Sequence, residues 1–310
     1  MTEIERAADV IRRGGLVAFP TETVYGLGAN ALDESAVARI FEAKGRPETS
    51  PLIVHVDSIS MASGLTAGWP EEAERLARRF WPGPLTLVLR KNARVPERVT
   101  AGLGPVGLRM PAHPTAQELI RTAGVPIAAP SANRFTELSP TTAEHVRLAL
   151  GDRIDMILDG GPTRVGIEST VLSLVERPVL LRPGMVTLRE LEDCIGQVEV
   201  LDSALNSIAR EGEAHPSPGM HARHYSPRTP LMIGATRPED NAAYVWWNRE
   251  LPAARSVEMP GKPKEYAARL YETLHRLDQE GWDYIAVEAV PDGPEWAAVA
   301  DRLLRAAQKR

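Results

Sequence analysis

"AFPTETVYGLG" (Ala18–Gly28) follows a short apolar run, Leu16–Phe19, with two threonines, a glutamate and a tyrosine, then Gly26 and Gly28. The run reads as a buried strand, and loops at strand ends are where folds carry function. Two readings of the stretch compete. "GLGANA" fits the loose G-x-G-x-x-A pattern of a dinucleotide turn. In such a turn the first glycine follows the strand almost at once, whereas here Pro20 to Tyr25 intervene and the next helix begins only at Asp33. The acidic residue about twenty positions further on is Glu48, which falls in a loop instead of at a strand end. The plainer reading makes Gly26 and Gly28 a tight turn, but it leaves the polar "TET" without a purpose.

Outward from this stretch, strand-like runs alternate with helical patterns. The strands are "LVAF" (16–19), "LIVHV" (52–56), "LTLVL" (85–89), "VGLRM" (106–110), "PIAA" (126–129), "DMILD" (155–159), "STVLSL" (169–174) and "VLLR" (179–182). A helix runs from an Asp33 cap through Val37, Ile40 and Phe41 to a Gly45 stop, and others cover about 71–80, 115–123 and 141–150. "MTEIERAADVIRRGG" at the start has capping-box spacing between Thr2 and Glu5, with Ile4, Ala7, Ala8 and Ile11 on one face. It reads as a capped helix, not a signal peptide. Strands that follow one another without a helix, as in 168–182, imply antiparallel pairs, so the expected fold is α/β with a twisted mixed sheet.

Near 203–228 the pattern changes to "SALNSIAREGEAHPSPGMHARHYSPR", rich in proline and poor in apolar periodicity, which reads as a linker. Beyond it come "PLMIG", "YVWW" and "SVEMP". A helix with Tyr266, Leu270, Leu274 and Leu277 on one face follows, then "YIAVEAV" and a last helix from about 294. The expected organisation is a catalytic domain over 1–205, a linker or lid over 206–228, and a smaller Rossmann-like α/β domain over 229–310.

The chain has 310 residues, of which 43% are hydrophobic and 25% charged, enough for a core without staples. Its one cysteine, Cys194, allows no internal disulfide and suits a reducing compartment. No apolar run approaches the roughly 18 residues a membrane span needs, so a cytoplasmic protein is expected. A net charge of −5 and 5% aromatic residues speak against a nucleic-acid binder working by bulk attraction and base stacking.

Several stretches carry candidate chemistry. In "EAKGRPETSPLIVHV" (Glu42–Val56), Lys44 and Arg46 flank Gly45 at a helix end. Helix capping accounts for each residue singly; a point charge and a planar fork held together would also suit a triphosphate. Arg109 in "VGLRMP" and Arg182 in "LLRPG" stand at strand ends, as edge residues or as anion ligands. "APSANRFTELSP" (Ala129–Pro140) repeats the opening pattern with Ser131, Asn133 and Ser139, and "ESTVLSL" adds Ser169 and Thr170. Strand ends bearing short hydrogen-bonding groups between cations would bind a polar ligand without attacking it. There is no G-x-x-x-x-G-K-[ST] loop, no G-x-S-x-G elbow and no H-E-x-x-H. His221 and His224 have no third ligand close in sequence, so no metal site is assigned.

With "FPTETVYGLG", "KGRPETSPLIVHV", "VGLRMP", "APSAN", "ESTV" and "LLRPG" in this order, the chain resembles the threonylcarbamoyl-AMP synthase family, and "SPGMHARHYSP" points to its long two-domain form. The resemblance implies a nucleotidyltransferase with a concave basic pocket. It would make L-threonylcarbamoyladenylate from L-threonine, bicarbonate or CO2, and ATP, with Mg2+ accompanying the ATP and pyrophosphate leaving. This is the first step toward N6-threonylcarbamoyladenosine at position 37 of tRNAs that read ANN codons. Downstream tRNA threonylcarbamoyl-transferase proteins would complete it, so direct tRNA binding is not required. It further implies that Thr23, His55, Arg109 and Ser169 contact threonine, with Arg109 on the carboxylate. Lys44 and Arg46 would be catalytic. Those two would surround the nucleotide with Ser50, Ser131, Asn133, Ser139 and Arg182, and Arg223, His224 and Tyr225 would close as a lid. Pro105 stands where many members have a hydroxyl, and "HARHY" replaces a lysine and a second aromatic of some members. Two other classes are weighed against this one: a double-stranded-RNA module using the same basic concavity, and a carbamoyl-phosphate-using module of larger hydrogenase-maturation proteins. Residues 1–228 alone are expected to retain ligand binding.

Overall fold

The computed structural model describes residues 1–201, 224–235, 238 and 241–308; Arg223 and most of the expected lid lie outside the described residues. Ten strands form one mixed sheet. In chain order they are β1 (Val17–Phe19), β2 (Gly26–Asn30), β3 (Ile53–His55), β4 (Leu85–Arg90), β5 (Pro105–Arg109), β6 (Ile127–Ala128), β7 (Met156–Ile157), β8 (Thr170–Ser173), β9 (Val179–Arg182) and β10 (Glu199–Val200). Across the sheet they run β10-β9-β8-β4-β5-β3-β6-β2-β1-β7. Parallel pairs such as β3–β5 and β4–β8 sit beside antiparallel ones such as β4–β5 and β8–β9, as the helix-free stretch at 168–182 implied.

Alternation along β1 sets the two faces. Val17 and Phe19 join one core with Ala7, Ala8 and Ile11 of α1 (Glu3–Arg12) and with Leu119 and Ile120 of α5 (Pro114–Ala123). Ala18 faces the opposite, larger core, with Val37 and Ile40 of α2 (Glu34–Lys44) and Leu76 of α4 (Glu71–Phe80). A period of two with both sides covered is what a strand buried between helix layers requires. The short α3 (Ile59–Ser63), α6 (Ala143–Leu150) and α7 (Leu188–Ile195) are the other α-helices of this unit among the described residues. The capping box of α1 is formed: the Thr2 hydroxyl accepts from the Glu5 amide, and the Glu5 carboxylate accepts from the Thr2 amide. Asp33 caps α2, and Gly45 ends it in the left-handed region at φ 61°.

The opening stretch departs from its expected turn. Gly26 and Gly28 lie within β2, a strand antiparallel to β1, and neither has a positive φ. A Cβ at Gly28 would stand 2.7 Å from a ring carbon of Phe19 and 2.7 Å from a methyl of Ile127. Glycine therefore serves close packing under the sheet here, not turn geometry. The chain turns instead over 20–25, where the polar residues are.

A second sheet is wholly parallel. Its strands β11 (Leu231–Ile233), β12 (Ala242–Trp246), β13 (Arg255–Glu258) and β14 (Tyr284–Val287) run in the order β11-β14-β12-β13. Helix α8 (Pro263–Gln279) buries Tyr266, Leu270, Leu274 and Leu277, the face its spacing predicts, and α9 (Ala297–Ala306) follows β14. The core of this unit is continuous with the first. Val24, Leu138, Ile167 and Tyr225 belong to the same apolar cluster as Tyr266, Leu270 and Leu303. No helix among the described residues is long and apolar enough to cross a membrane.

Candidate functional site

Strand pairing assembles the site. In the β3–β5 register His55 lies directly beside Arg109, both at strand ends. Parallel β4–β8 pairing, with Leu85 opposite Thr170, brings Ser169 near Thr86, and their hydroxyls share a hydrogen bond at 2.8 Å. Antiparallel β8–β9 pairing then brings Arg182 to Ser169, donating to its carbonyl at 3.1 Å and its hydroxyl at 3.2 Å. These ends open into one cleft. Thr23, Arg46, His55, Arg109, Ser131, Ser169, Arg182, His224 and Tyr225 all line it. Residues from 23 to 225 thus meet in one cavity.

The "TET" loop holds itself in shape. The Thr21 hydroxyl donates to the Val24 carbonyl at 2.6 Å, accepts from the amides of Thr23 and Val24, and shares a hydrogen bond with the Thr23 hydroxyl. Glu22 between them turns to Arg109, with 2.8 Å between Oε1 and Nη2. The contact is an ion pair off the angle of a hydrogen bond, so both buried atoms keep unused hydrogen-bonding capacity at the cleft. Arg109 also donates to the Gly83 carbonyl at 3.3 Å.

Burial, and then the Arg109 charge, hold the His55 imidazole down at about 3, so it is neutral at physiological pH, and its Nδ1 has no hydrogen-bond partner. Burial lowers Arg46 to about 10, with Tyr225 opposing and Arg182 adding to the fall, so the guanidinium stays charged. Arg46 donates to the Pro51 carbonyl at 3.1 Å and leaves Nε unpartnered.

Lys44 is placed differently. Its ammonium donates to the carbonyls of Ser131 and Asn133, behind the cleft wall, and burial followed by the Arg46 charge lowers its pKa well below the usual lysine range. The Ser131 hydroxyl donates to Asn133 Oδ1, whose amide nitrogen donates to the carbonyls of Arg134 and Glu137. Lys44 and Asn133 therefore shape the loop that presents Ser131. Ser139 is one step removed as well, donating to Glu168, and Ser50 is buried. His224 packs edge-on against Tyr225 at 4.2 Å, and Tyr225 holds a left-handed φ of 61°, a strained conformation for a bulky residue.

Thr21, Glu22 and Glu168 are the site residues that sequence reasoning passed over. Glu22 had a signal, as the one acid in "TET". Glu168 had none, because its partner Arg302 lies far along the chain. Among the described residues no group of three or more His, Cys, Asp or Glu could hold a metal ion.

Two family models match the chain: "Telomere recombination" over residues 9–184, and "Threonylcarbamoyl-AMP synthase, C-terminal domain" over 186–308. The threonylcarbamoyl-AMP synthase of Pyrococcus abyssi is 44% identical, over 99% of this chain and 95% of its own length. That of Bacillus subtilis is 45% identical, over 99% and 94%. The crystal structure of P. abyssi Sua5 complexed with L-threonine superimposes with a TM-score of 0.91 at 42% identity, covering 98% of this chain and 94% of that one. A variant of the same protein with adjacent histidine and tyrosine replaced by alanine matches with a TM-score of 0.90, at 42% identity over 98% of this chain and 92% of that one. With the cleft, the two sheets and full-length similarity in agreement, the chain belongs to the threonylcarbamoyl-AMP synthase family.

Proposed function

We propose that this chain condenses L-threonine, bicarbonate or CO2, and ATP into L-threonylcarbamoyladenylate and pyrophosphate. The observation that carries this reading is the convergence of Arg46, Arg109 and Arg182 with His55, Thr23 and Ser169 on one cleft, in a fold shared with a relative solved in complex with L-threonine. Arg109 is the cation suited to the threonine carboxylate, since Nη2 has bonding capacity to give and Glu22 balances its charge until the ligand arrives. Neutral His55 suits the amine, because an acceptor nitrogen takes an N–H without adding charge. Thr23 and Ser169 offer hydroxyls to the rest of the amino acid.

The protein supplies no nucleophile because the reactants bring their own. The amine and CO2 give a carbamate, and a carbamate oxygen bonds to the α-phosphorus of ATP as the bond to pyrophosphate breaks. The protein orients the two substrates and neutralises charge on the departing phosphates through Arg46 and Arg182, with Ser131 beside them. Lys44, Asn133 and Ser139 act from behind that wall, and Ser50 lies close by in sequence. His224 and Tyr225 form the side that excludes water from a carbamate and an acyl phosphate, both of which hydrolyse. Glu168, which lines the cleft, pairs with Arg302, and Glu22 in the neighbouring loop pairs with Arg109. Magnesium is assigned to the nucleotide substrate as its phosphate counter-ion. The product would pass to downstream transfer proteins acting on tRNA. The test is pyrophosphate release from ATP, expected only when threonine and bicarbonate are both present. Release that persists without threonine would refute the reading.

A further inference from the structure

Arg302 is the largest fully buried side chain in the molecule's described residues, and nothing in the reaction above uses it. It lies on α9, in the second α/β unit, yet all but one of the partners its guanidinium finds lie in the first unit or the segment that joins the two. Nε donates to Glu168 Oε2 at 2.8 Å, Nη2 to the Glu168 carbonyl at 3.3 Å, and Nη1 to the Pro183 carbonyl at 2.9 Å. Its Cζ stands 5.4 Å from the centre of the Tyr225 ring, and Asp301, beside it on α9, supplies a second carboxylate at 2.8 Å. Tyr271 of α8 adds a hydroxyl to Glu168 at 3.1 Å.

The groups Arg302 holds are cleft groups. Glu168 and Tyr225 both line the cavity. Glu168 Oε1 accepts the Ser139 hydroxyl at 2.5 Å, and the Tyr225 hydroxyl accepts from Arg182 at 3.3 Å. From the one guanidinium two short chains thus run, through Glu168 to Ser139 and through Tyr225 to Arg182. Both reach residues assigned to the nucleotide; the second runs on from Arg182 to the Ser169 carbonyl and hydroxyl, while Arg109, His55 and Thr23 lie outside both.

We propose that Arg302 is a positioning residue for the nucleotide half of the site, and that the second α/β unit acts on the reaction through it. A buried carboxylate stripped of its paired cation is left uncompensated, and its surroundings rearrange to relieve that charge. Glu168 would then no longer hold Ser139 and Tyr271 in place, and Tyr225 would lose the cation against its ring. The nucleotide side would loosen while Arg109, the anchor of the threonine carboxylate, kept its own contacts to Glu22 and the Gly83 carbonyl. Under this proposal residues 1–228 alone do not retain normal nucleotide affinity, contrary to the expectation drawn from the sequence.

The inference rests on the proposed reaction, so the test begins with the full-length wild type. A saturable dependence of pyrophosphate release on ATP must be seen; if there is none, the proposed reaction and this inference both fall. Given saturation, Arg302→Met is expected to raise the KM for ATP by at least about tenfold while the KM for threonine stays within about threefold. Arg302→Lys, which keeps the charge but cannot reproduce the planar fork, is expected to fall between wild type and the methionine variant. A merely structural arginine would lower the amount of active enzyme, and so kcat, or raise both KM values alike; either pattern overturns the proposal. If Arg302→Met gives no cooperative melt, Arg302→Lys carries the test alone, and a wild-type KM for ATP in it overturns the proposal as well.

Discussion

His55 gives the most quantitative prediction, because its neutrality is a consequence of the fold. In β3, buried beside Arg109, its imidazole is held at about 3, whereas the unfolded chain restores a value near 6.5. The unfolded chain therefore binds the proton first as pH falls. The stability tied to neutral His55 is full above the unfolded value and drains away between there and the folded one. About two units below the unfolded value, near pH 4.5, the loss from this residue alone is on the order of 3 kcal/mol. Replacing His55 with asparagine, which does not titrate, removes that share. Other groups, including His275, which burial and then His145 hold at about 4, titrate in both proteins and cancel in the comparison. Urea unfolding at about pH 7.5 and about pH 4.5 measures the effect, with wild type losing on the order of 3 kcal/mol more than His55→Asn over that interval. If both lose the same stability to within about 0.5 kcal/mol, the imidazole is not buried neutral and its assigned role as an uncharged acceptor fails.

Arg109→Ala should cut kcat/KM for threonine by about a hundredfold or more, since charge-assisted bonds are lost. It should also destabilise the fold by leaving Glu22 unpaired; adding Glu22→Gln should restore the melting temperature without restoring activity. Lys44→Met should lower turnover by roughly two orders of magnitude while far-ultraviolet circular dichroism stays unchanged, through loosening of the Ser131–Asn133 loop. Arg46→Ala should lower it as far through loss of a phosphate cation, and near-wild-type rates in both would remove the triphosphate role. Gly28→Ala should cost about 1–3 kcal/mol in chemical unfolding, because the added methyl collides with Phe19 and Ile127; a neutral result would mean that β2 shifts freely.

The sequence made most elements legible for identifiable reasons. Capping residues fixed α1 and α2 almost to the residue, and apolar runs bounded by glycine and proline located eight of the strands of the first sheet. The strand β2 stayed hidden because "GLGAN" lacks β-branched residues. Its place is set by the Phe19 ring beneath it, a tertiary demand that propensity does not carry. The short β10 at the sheet edge was passed over as well.

The site was readable as residue types at strand ends, since alcohols and cations there have few bland uses in combination. Its division of labour was not. That Lys44 grips carbonyls while Arg46 faces the cleft depends on which way neighbouring side chains turn about Gly45. Glu168 needed Arg302, a pairing between distant segments that no local pattern announces.

The central claim is that one cavity seats threonine beside a nucleoside triphosphate, and a crystal structure of the full-length protein with threonine and a non-hydrolysable ATP analogue tests it most directly. The account predicts the threonine carboxylate on Arg109 and the triphosphate on Arg46 and Arg182, with the amine turned toward the α-phosphorus. Threonine and nucleotide bound in separate cavities, or a triphosphate out of reach of both arginines, would contradict it.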